Sequence, residues 1–286
     1  MRAIFAVLLL LIVATATTET QADTLKRIAE TGEIRIGYVP DAPPLSFENN
    51  NGAVVGYSID LCRHITSTIK SELGLDNIDI IFTPLVSMED RLSAVENGDV
   101  DIECGATTVT LSRRERVDFT LMTFITGSAV LSRKSNPIDT IDDVSGAKVA
   151  VLTGTTTEKV MRRVIEVNEF KVDLLLVDTH EEGMALLNAR KVDGYASDRA
   201  MLMGLVFFDQ NAQNSYALSR SPFSFEPYAM MVPRGDTEFR LVADKALASL
   251  FRTARIRRHY QNWFGRFGEP LSPIVEAMYQ FQAVGE

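Results

Sequence analysis

The sequence predicts an α/β protein with two lobes and a cleft between them. Short apolar strands alternate with amphipathic helices through most of the chain, which is the pattern of parallel strands joined by helices. The pattern also repeats, because Arg91–Asp101 and Met184–Asp193 are similar stretches in which a helix ends and leads into a strand. Ligands bind at the carboxyl ends of the strands in such sheets, so two facing lobes predict a binding cleft.

The elements of the first half follow from local patterns. Ile59, Cys62, Ile65 and Ile69 have the spacing of one helix face, and a proline-rich loop follows the first strand. The predicted elements are strand Glu33–Tyr38, helix Ser58–Leu73, strand Asp79–Pro84, helix Glu89–Asn97 and strand Val100–Cys104.

The second half repeats the alternation and then returns to the first. Its predicted elements are the extended segment Ser128–Arg133, strand Lys148–Leu152, helix Thr156–Asn168, strand Val172–Val177, helix Glu181–Ala189, strand Gly194–Ala196 and helix Arg199–Phe208. Strand Tyr228–Pro233 brings the chain back to the first lobe, and one helix is predicted from Phe239 to Trp263. Two crossings, near residues 123–127 and 226–230, predict a hinge. The first lobe is expected to comprise residues 23–125 and 229–286, and the second residues 126–228.

The chain begins with a pattern typical of a signal peptide. Arg2 precedes the apolar run Ile4–Val13, which is too short to span a bilayer. Cleavage after Ala16 and after Ala22 both fit, and Ala22 is favoured because the helical pattern starts just beyond it. We therefore expect residues 1–22 to be removed and the mature chain to be periplasmic, with no direct membrane insertion.

The net charge argues against one class of partner, and the cysteines and histidines indicate whether disulfides or metal sites are to be expected. A formal net charge of -9 with a pI near 5.0 argues against nucleic acid. An exported chain permits disulfides, and Cys62 and Cys104 fit either one disulfide or two buried thiols. The three histidines are scattered and no Cys/His spacing resembles a metal site, so neither a metal nor a cofactor is expected.

Two segments carry groups that suit the two ends of an amino acid. Between Glu103 and Thr120 a strand end is followed by hydroxyl residues and an arginine cluster, which together suit a carboxylate, although a charged surface loop has the same composition. The segment Gly154–Glu158 predicts a capped helix start, and the free N–H groups of such a start can bind an anion. The same segment also fits a capped helix with no role in binding. Asp198 follows a strand and suits an ammonium group, although it also fits a helix cap.

The order of these segments along the chain resembles that of the periplasmic polar-amino-acid-binding proteins of ABC importers, which form solute-binding protein family 3. The resemblance extends from Leu25 to Gly265 and includes EIRIGYVPDAPPLSF, VVGYSIDL, RLSAVENGDVDI, TVTLSRRERVDFT, AKVAVLTGTTTE and YQNWFG. The glutamate/aspartate-binding members are the most similar, since they share the GYS start and the ECG-x-TT and GTT-x-E turns. This chain differs from most members at position 58, where it has serine and they carry Asp or Glu. The resemblance implies a type II periplasmic-binding-protein-like fold with a hinged cleft.

The resemblance also implies a role for individual residues. Arg113 matches the arginine that grips the ligand α-carboxylate, Asp198 matches the acceptor of the α-ammonium, and His180 matches a contact to the ligand side chain. The remaining ligand-binding residues implied are Ala106 and Thr108 beside Arg113, Thr155 or Thr156 at the helix start, and Arg91 with Ser87 at the side-chain end. His180 also fits a surface helix cap.

Three positions depart from the pattern of the acidic-ligand binders. Val39 stands where those binders place a second arginine, Ala106 replaces a serine, and Leu152 replaces a polar residue. One arginine holds a buried carboxylate less well than two. A neutral polar or partly apolar side chain suits Val39, Leu152 and Ala42 better than an acidic one.

The expected function is ligand capture without catalysis. A polar L-amino acid, glutamate, aspartate or a related one, would bridge both lobes, and a membrane permease would recognise the closed form. The alternative is an exported cyclohexadienyl or arogenate dehydratase-like enzyme, for which Glu158 or Glu226 would be the acid, although each also fits a cap or a surface charge. Asp198 favours capture, because it would repel a ring acid that lacks an ammonium group.

Overall fold

Two five-stranded sheets organise the chain, in agreement with the two-lobed α/β fold that the sequence predicts. The computed structural model describes residues 23–208 and 215–285, so the predicted signal peptide lies outside the described residues. Within these ranges no helix has both the length and the apolar character needed to cross a membrane.

The strands are β1 (Glu33–Tyr38), β2 (Asp41–Ala42), β3 (Ser46–Glu48), β4 (Val54–Val55), β5 (Asp79–Pro84), β6 (Ile102–Glu103), β7 (Val117–Thr126), β8 (Ser128–Arg133), β9 (Lys148–Leu152), β10 (Asp173–Val177), β11 (Gly194–Asp198), β12 (Tyr216–Leu218) and β13 (Glu226–Pro233). The helices are α1 (Thr24–Thr31), α2 (Tyr57–Glu72), α3 (Met88–Glu96), α4 (Leu111–Arg114), α5 (Thr156–Val167), α6 (His180–Asn188), α7 (Arg199–Phe208), α8 (Thr237–Arg252), α9 (Ile256–Trp263) and α10 (Pro273–Phe281). Two short 3-10 helices cover Ile141–Val144 and Gly265–Phe267.

The first lobe is built on the sheet β5-β1-β6-β13-β7. Strands β5, β1 and β6 are parallel, and β13 runs antiparallel to both β6 and β7. Helices α2 and α8 pack on one face, where Ile34, Ile36 and Phe239 are fully buried, and α3 packs on the other face. Because both faces are covered, the strands are apolar on both sides.

The second lobe repeats this arrangement on the sheet β10-β9-β11-β8-β12. Successive residues of β9 point to opposite faces. Val149 and Val151 pack with Met161 of α5, whereas Ala150 packs with residues of α6 and α7 on the other side. The alternation of strand and helix therefore gives each lobe three layers, with its own core.

The chain crosses between the two sheets at two places. It passes from β7 to β8 through Gly127, where an added Cβ would overlap the carbonyl oxygen of Ser224, and it returns between β12 and β13. Strands β7 and β13, which carry the crossings, pair with each other. Paired crossings of this kind suit a hinge, while the lobe boundaries at residues 125/126 and 228/229 stay a prediction.

Several predicted elements differ from the observed ones. The predicted C-terminal helix is two helices, α8 and α9, because the chain breaks near Ala254, which has a left-handed φ of 54°. The predicted proline-rich loop contains β2 and β3, which form a small sheet with β4. Predicted strand Val100–Cys104 is regular only at Ile102–Glu103, since its end leaves the sheet toward the cleft.

The two cysteines form a disulfide. Cys62 lies on α2 and Cys104 follows β6, with 6.3 Å between their Cα atoms, and both are buried. Of the two possibilities that the sequence left open, the structure shows the disulfide. The bond fixes α2 to the strand end from which the cleft turn 105–108 leaves.

Opening this disulfide should lower stability without changing the fold. The bond closes a long loop, with a sequence separation of 42, so the Cys62→Ser/Cys104→Ser double variant should lose about 2–4 kcal/mol of unfolding free energy. Urea denaturation of both proteins in oxidising buffer measures this loss. A reductant should shift the midpoint of the native protein but not of the variant, and equal midpoints for the two oxidised proteins would contradict the prediction.

Candidate functional site

A cavity of about 170 Å³ lies between the lobes at the carboxyl ends of the central strands. This volume is below the roughly 300–1,000 Å³ of sites for drug-sized ligands, so it suits a small metabolite. All the predicted site residues line it, namely Ser87, Arg91, Ala106, Thr108, Arg113, Thr155, Thr156, His180 and Asp198. Across residues 23–208 and 215–285, no group of three His, Cys, Asp or Glu side chains is arranged to bind a metal ion.

Arg113 brings a buried positive charge to the cavity. It lies on α4, is 7% exposed, and donates from Nη1 to the carbonyl oxygen of Thr108 at 2.6 Å. Burial, and then repulsion from Arg91, lower the pKa of Arg113 to about 10, so the guanidinium stays charged at neutral pH. It forms no ion pair with any residue that the structure describes. A buried, unpaired guanidinium beside a cavity favours an anionic group there.

The start of α5 adds backbone donors from the second lobe. Thr155 caps this helix, accepting from the Glu158 N–H at 3.1 Å and donating to the Leu152 carbonyl oxygen at 2.7 Å. Its hydroxyl proton is therefore already in use. The first N–H groups of a helix have no partner within it and lie at its positive end. Thr155 thus serves the site by fixing the helix start, and the N–H groups of the first turn can bind an anion.

Asp198 places a carboxylate on the second-lobe side of the cavity. It accepts hydrogen bonds from the Tyr228 hydroxyl, from Thr157 at 3.1 Å and from Ser128 at 3.3 Å. Burial and then the nearby charge of Glu226 raise the pKa of Asp198 to about 6, although the three hydrogen bonds oppose this shift. Tyr228 was not among the predicted site residues, because its strand has the apolar pattern of a core element.

Glu226 links the two lobes beside the cavity. Its Oε2 accepts from Thr108 of the first lobe and from Thr156 of α5, each at 2.7 Å, and Oε1 accepts from Ser224 at 2.6 Å. The side chain is 2% exposed, so the expectation of a surface charge is wrong. The hydroxyl protons of Thr108 and Thr156 are directed at this carboxylate, which orients both threonines at the cavity wall.

Arg91 lines the cavity with a charge that the protein itself balances. Its Nε donates to Glu103 at 2.9 Å and its Nη2 donates to Thr107, which in turn donates to the second Glu103 oxygen at 2.8 Å. All three side chains are buried. Gly105 completes the cluster, because an added Cβ there would overlap Glu103 and Arg91.

His180 is the first residue of α6 and contacts both lobes. Its backbone N–H donates to the Asp41 carboxylate across the cleft at 2.8 Å. Its ring nitrogen Nδ1 forms a hydrogen bond with the Tyr195 hydroxyl at 2.7 Å. Burial lowers the pKa of His180 despite the nearby Asp41, so the ring is neutral at neutral pH. His180 is 6% exposed, so the alternative interpretation of a surface histidine is wrong.

Ser87, in contrast, is an exposed residue that caps α3, and its hydroxyl accepts from the Asp90 N–H at 3.0 Å.

Comparison with known proteins places the chain in a family. The sequence profile of the bacterial extracellular solute-binding proteins, family 3, matches residues 34–266. This chain belongs to that family. It is 32% identical over 251 residues to the L-glutamate/L-aspartate-binding protein of Pseudomonas aeruginosa, covering 87% of this chain and 82% of the relative. It is 27% identical over 241 residues to the glutamate/aspartate import solute-binding protein of Salmonella typhimurium, covering 84% of this chain and 79% of that protein.

Solved structures of this solute-binding class share the fold. An ancestral arginine-binding protein bound to glutamine superposes with a TM-score of 0.71 at 29% identity, covering 82% of this chain and 98% of that one. A substrate-binding protein of an ABC uptake transporter from Streptococcus pneumoniae, with bound histidine, superposes with a TM-score of 0.75. At 20% identity, with 86% of this chain and 98% of that one covered, it supports the fold alone.

The two cavity arginines should differ in their contribution to stability. Arg91→Ala leaves the buried Glu103 carboxylate without its ion-pair partner and should cost about 3–5 kcal/mol of unfolding free energy. Arg113→Ala should cost less, because it removes an unpaired charge and leaves no carboxylate behind. Urea denaturation without added ligand compares the variants. Equal losses would contradict the view that only Arg91 is internally paired.

Proposed function

We propose that this solute-binding protein captures a polar α-amino acid between its lobes and delivers it to the membrane permease of an ABC importer. One observation carries the proposal: the unpaired Arg113 guanidinium of the first lobe and the Asp198 carboxylate of the second line the same small cavity. An α-amino acid carries the two complementary groups, a carboxylate and an ammonium, on one carbon atom. Because the hydroxyl protons of Thr108, Thr155 and Thr156 are already donated within the protein, backbone N–H groups would complete the carboxylate site. They would come from Ala106 and Thr108 beside Arg113, and from the α5 start at Thr155 and Thr156.

The relatives support this class of ligand. The two relatives from Pseudomonas aeruginosa and Salmonella typhimurium are named for glutamate and aspartate, and a Bacillus subtilis relative with 26% identity is an ABC transporter glutamine-binding protein. An extracellular family and the signal-peptide pattern of residues 1–22 both support a periplasmic location. We infer that the permease recognises the closed form of the protein.

Capture would work by a shift between open and closed forms. Arg113 and Asp198 belong to different lobes, so one ligand satisfies both only when the cleft is closed, and binding therefore favours closure. Several contacts already bridge the lobes in this structure, among them the His180–Asp41 bond and the shared Glu226 carboxylate. The ligand adds to these contacts the charge pairing that Arg113 lacks.

The arrangement gives little support to a dehydratase. Neither Glu158 nor Glu226 is among the cavity-lining side chains. Glu158 accepts from the Gly154 N–H at 2.7 Å and pairs with Arg162, while Glu226 accepts three hydroxyl hydrogen bonds. Both carboxylates are thus occupied by groups of the protein itself, whereas a general acid must reach the substrate atom that it protonates. We therefore propose binding without catalysis.

Removing the charge of Arg113 or of Asp198 should weaken capture strongly. Arg113→Ala and Asp198→Asn should each weaken amino-acid binding by more than about 30-fold, because truncating one partner of a buried charge pair costs at least about 2 kcal/mol. Isothermal titration of refolded, ligand-stripped protein with the common L-amino acids measures this. Arg114→Ala is the matched control, since Arg114 is exposed, and it should bind normally.

The same titration includes prephenate, with an assay for phenylpyruvate. Binding of an amino acid with no change in prephenate would support capture. Consumption of prephenate with no amino-acid binding would overturn the proposal and make the protein an enzyme.

Affinity should fall in mild acid. The ammonium group of the ligand needs Asp198 ionised, and the pKa of Asp198 is raised to about 6. Above this pH the carboxylate is charged; below it, each pH unit should weaken binding by up to about tenfold. Tyr228→Phe removes a hydrogen bond that favours the ionised form, so it should move the midpoint to higher pH. Titrations between about pH 5 and 8 test both; a flat profile would contradict the assignment of Asp198.

A further inference from the structure

We propose that Tyr195 is a positioning residue: it fixes His180 in the tautomer whose Nε2 carries the proton, so that His180 donates a hydrogen bond to an acceptor oxygen of the ligand side chain. This inference rests on the proposed capture of an α-amino acid, in which Arg113 and Asp198 hold the two α-groups. His180 lines the same cavity. A neutral imidazole donates from one nitrogen and accepts at the other, and the hydrogen bond made by one nitrogen decides the role of the other.

The packing of the second lobe holds Tyr195 directly behind His180. Tyr195 lies on β11 and is fully buried, and its hydroxyl oxygen is 2.7 Å from His180 Nδ1. The two rings meet edge to face, with 6.2 Å between their centroids. Gly183 of α6 leaves room for the tyrosine ring, because an added Cβ there would overlap it. The hydroxyl and Nδ1 are therefore kept in contact.

The direction of this hydrogen bond follows from the number of protons. Burial and then the nearby charge of Asp41 raise the pKa of Tyr195, so its hydroxyl keeps its proton at neutral pH. The Ser197 hydroxyl opposes this rise, which is the effect of a group that donates to the phenol oxygen. If Nδ1 also donated to that oxygen, the buried tyrosine proton would have no acceptor among the described residues, which is costly. Tyr195 therefore donates and Nδ1 accepts.

Nε2 of His180 then carries the ring proton at the cavity wall. No described residue bonds this nitrogen, and it is not among the described buried polar atoms that lack a partner, so it is accessible. Burial lowers the pKa of His180 despite the nearby Asp41, so the neutral ring has this one free donor and no free acceptor. Such a donor binds the oxygen of a carbonyl, carboxylate or hydroxyl group.

The neighbouring groups of the wall favour the same kind of side chain. Arg91 also lines the cavity, and a guanidinium only donates. Val39 and Leu152 are apolar, and the Asp41 carboxylate already accepts from the His180 backbone N–H. An apolar side chain would leave the His180 proton without an acceptor in the closed cleft. We therefore expect amino acids with a side-chain oxygen to be preferred over apolar ones of the same length.

Nitrogen NMR of the refolded, ligand-stripped protein tests the tautomer directly. Protonated and unprotonated ring nitrogens resonate in separate ranges, and His180→Asn identifies the His180 signals by their loss. The native protein should show the proton on Nε2 at neutral pH. Tyr195→Phe keeps the ring and removes the hydroxyl, so both tautomers should be populated. A native protein with the proton on Nδ1 would overturn the inference, even if the variant fails to fold, and so would a folded variant that keeps only the Nε2 form.

Paired ligands of similar length test the consequence for binding. Isothermal titration of the native protein should show glutamine or glutamate binding at least about tenfold more tightly than norleucine, which has no side-chain oxygen. In Tyr195→Phe this ratio should fall about three- to tenfold, the effect of one hydrogen bond. A merely structural effect of the variant would weaken both ligands equally and leave the ratio unchanged.

Tyr260→Phe is the matched control for the lost hydroxyl. Tyr260 donates to the Pro270 carbonyl oxygen at 3.0 Å and does not line the described cavity, so this variant should keep the native tautomer and the native ratio.

Tighter binding of norleucine than of glutamine and glutamate would overturn this inference and leave amino-acid capture intact. An unchanged ratio in folded Tyr195→Phe would also overturn it. Failure of every amino acid to bind would overturn the proposed function, and this inference with it.

Discussion

The buried carboxylate of Glu226 is the interaction on which the cleft depends. It lies at the start of β13, the strand that returns the chain to the first sheet, and its Oε2 accepts a hydrogen bond from Thr108 of the first lobe and another from Thr156 of the second. Without these two donors the buried Oε2 would be unsatisfied, a costly state that couples the position of one lobe to that of the other. The walls that carry Arg113 and Asp198 are thereby held face to face.

The charges around the cavity divide into two kinds. Arg91 and Glu103 satisfy each other, so they contribute to the stability of the first lobe and shape the wall. Among the described residues, Arg113 and Asp198 form no ion pair, and burial lowers the pKa of Arg113 and raises that of Asp198. The proposed ligand, with a carboxylate and an ammonium group, would supply a partner for each. Binding sites store the cost of such buried charges because the ligand supplies the missing partner.

The fold alone does not define the ligand. Solved structures that superpose on this chain contain glutamine in one case and histidine in another, so the same two lobes hold different side chains. Proteins of this fold must therefore distinguish ligands by the residues that line the cavity. In this chain the lining includes Arg91, whose charge is paired with Glu103, the neutral His180, and the apolar side chains of Val39, Ala42 and Leu152.

The sequence alone determined the alternation of strands and helices and its repetition in two lobes, because periodicity and helix caps act over a few neighbouring residues. It also indicated Arg113 and Asp198, which follow strand ends. Other cleft residues, such as Arg91 and His180, followed only from the resemblance to a known family. Only the tertiary structure decided which charges are balanced. The partners of Arg91 and Thr108 lie 12 and 118 residues away, and no local pattern selects such pairs. The disulfide and the burial of Glu226 could not be predicted from the sequence either, since both depend on packing between segments that are distant in sequence. The helix break near Ala254 depends on a single backbone angle.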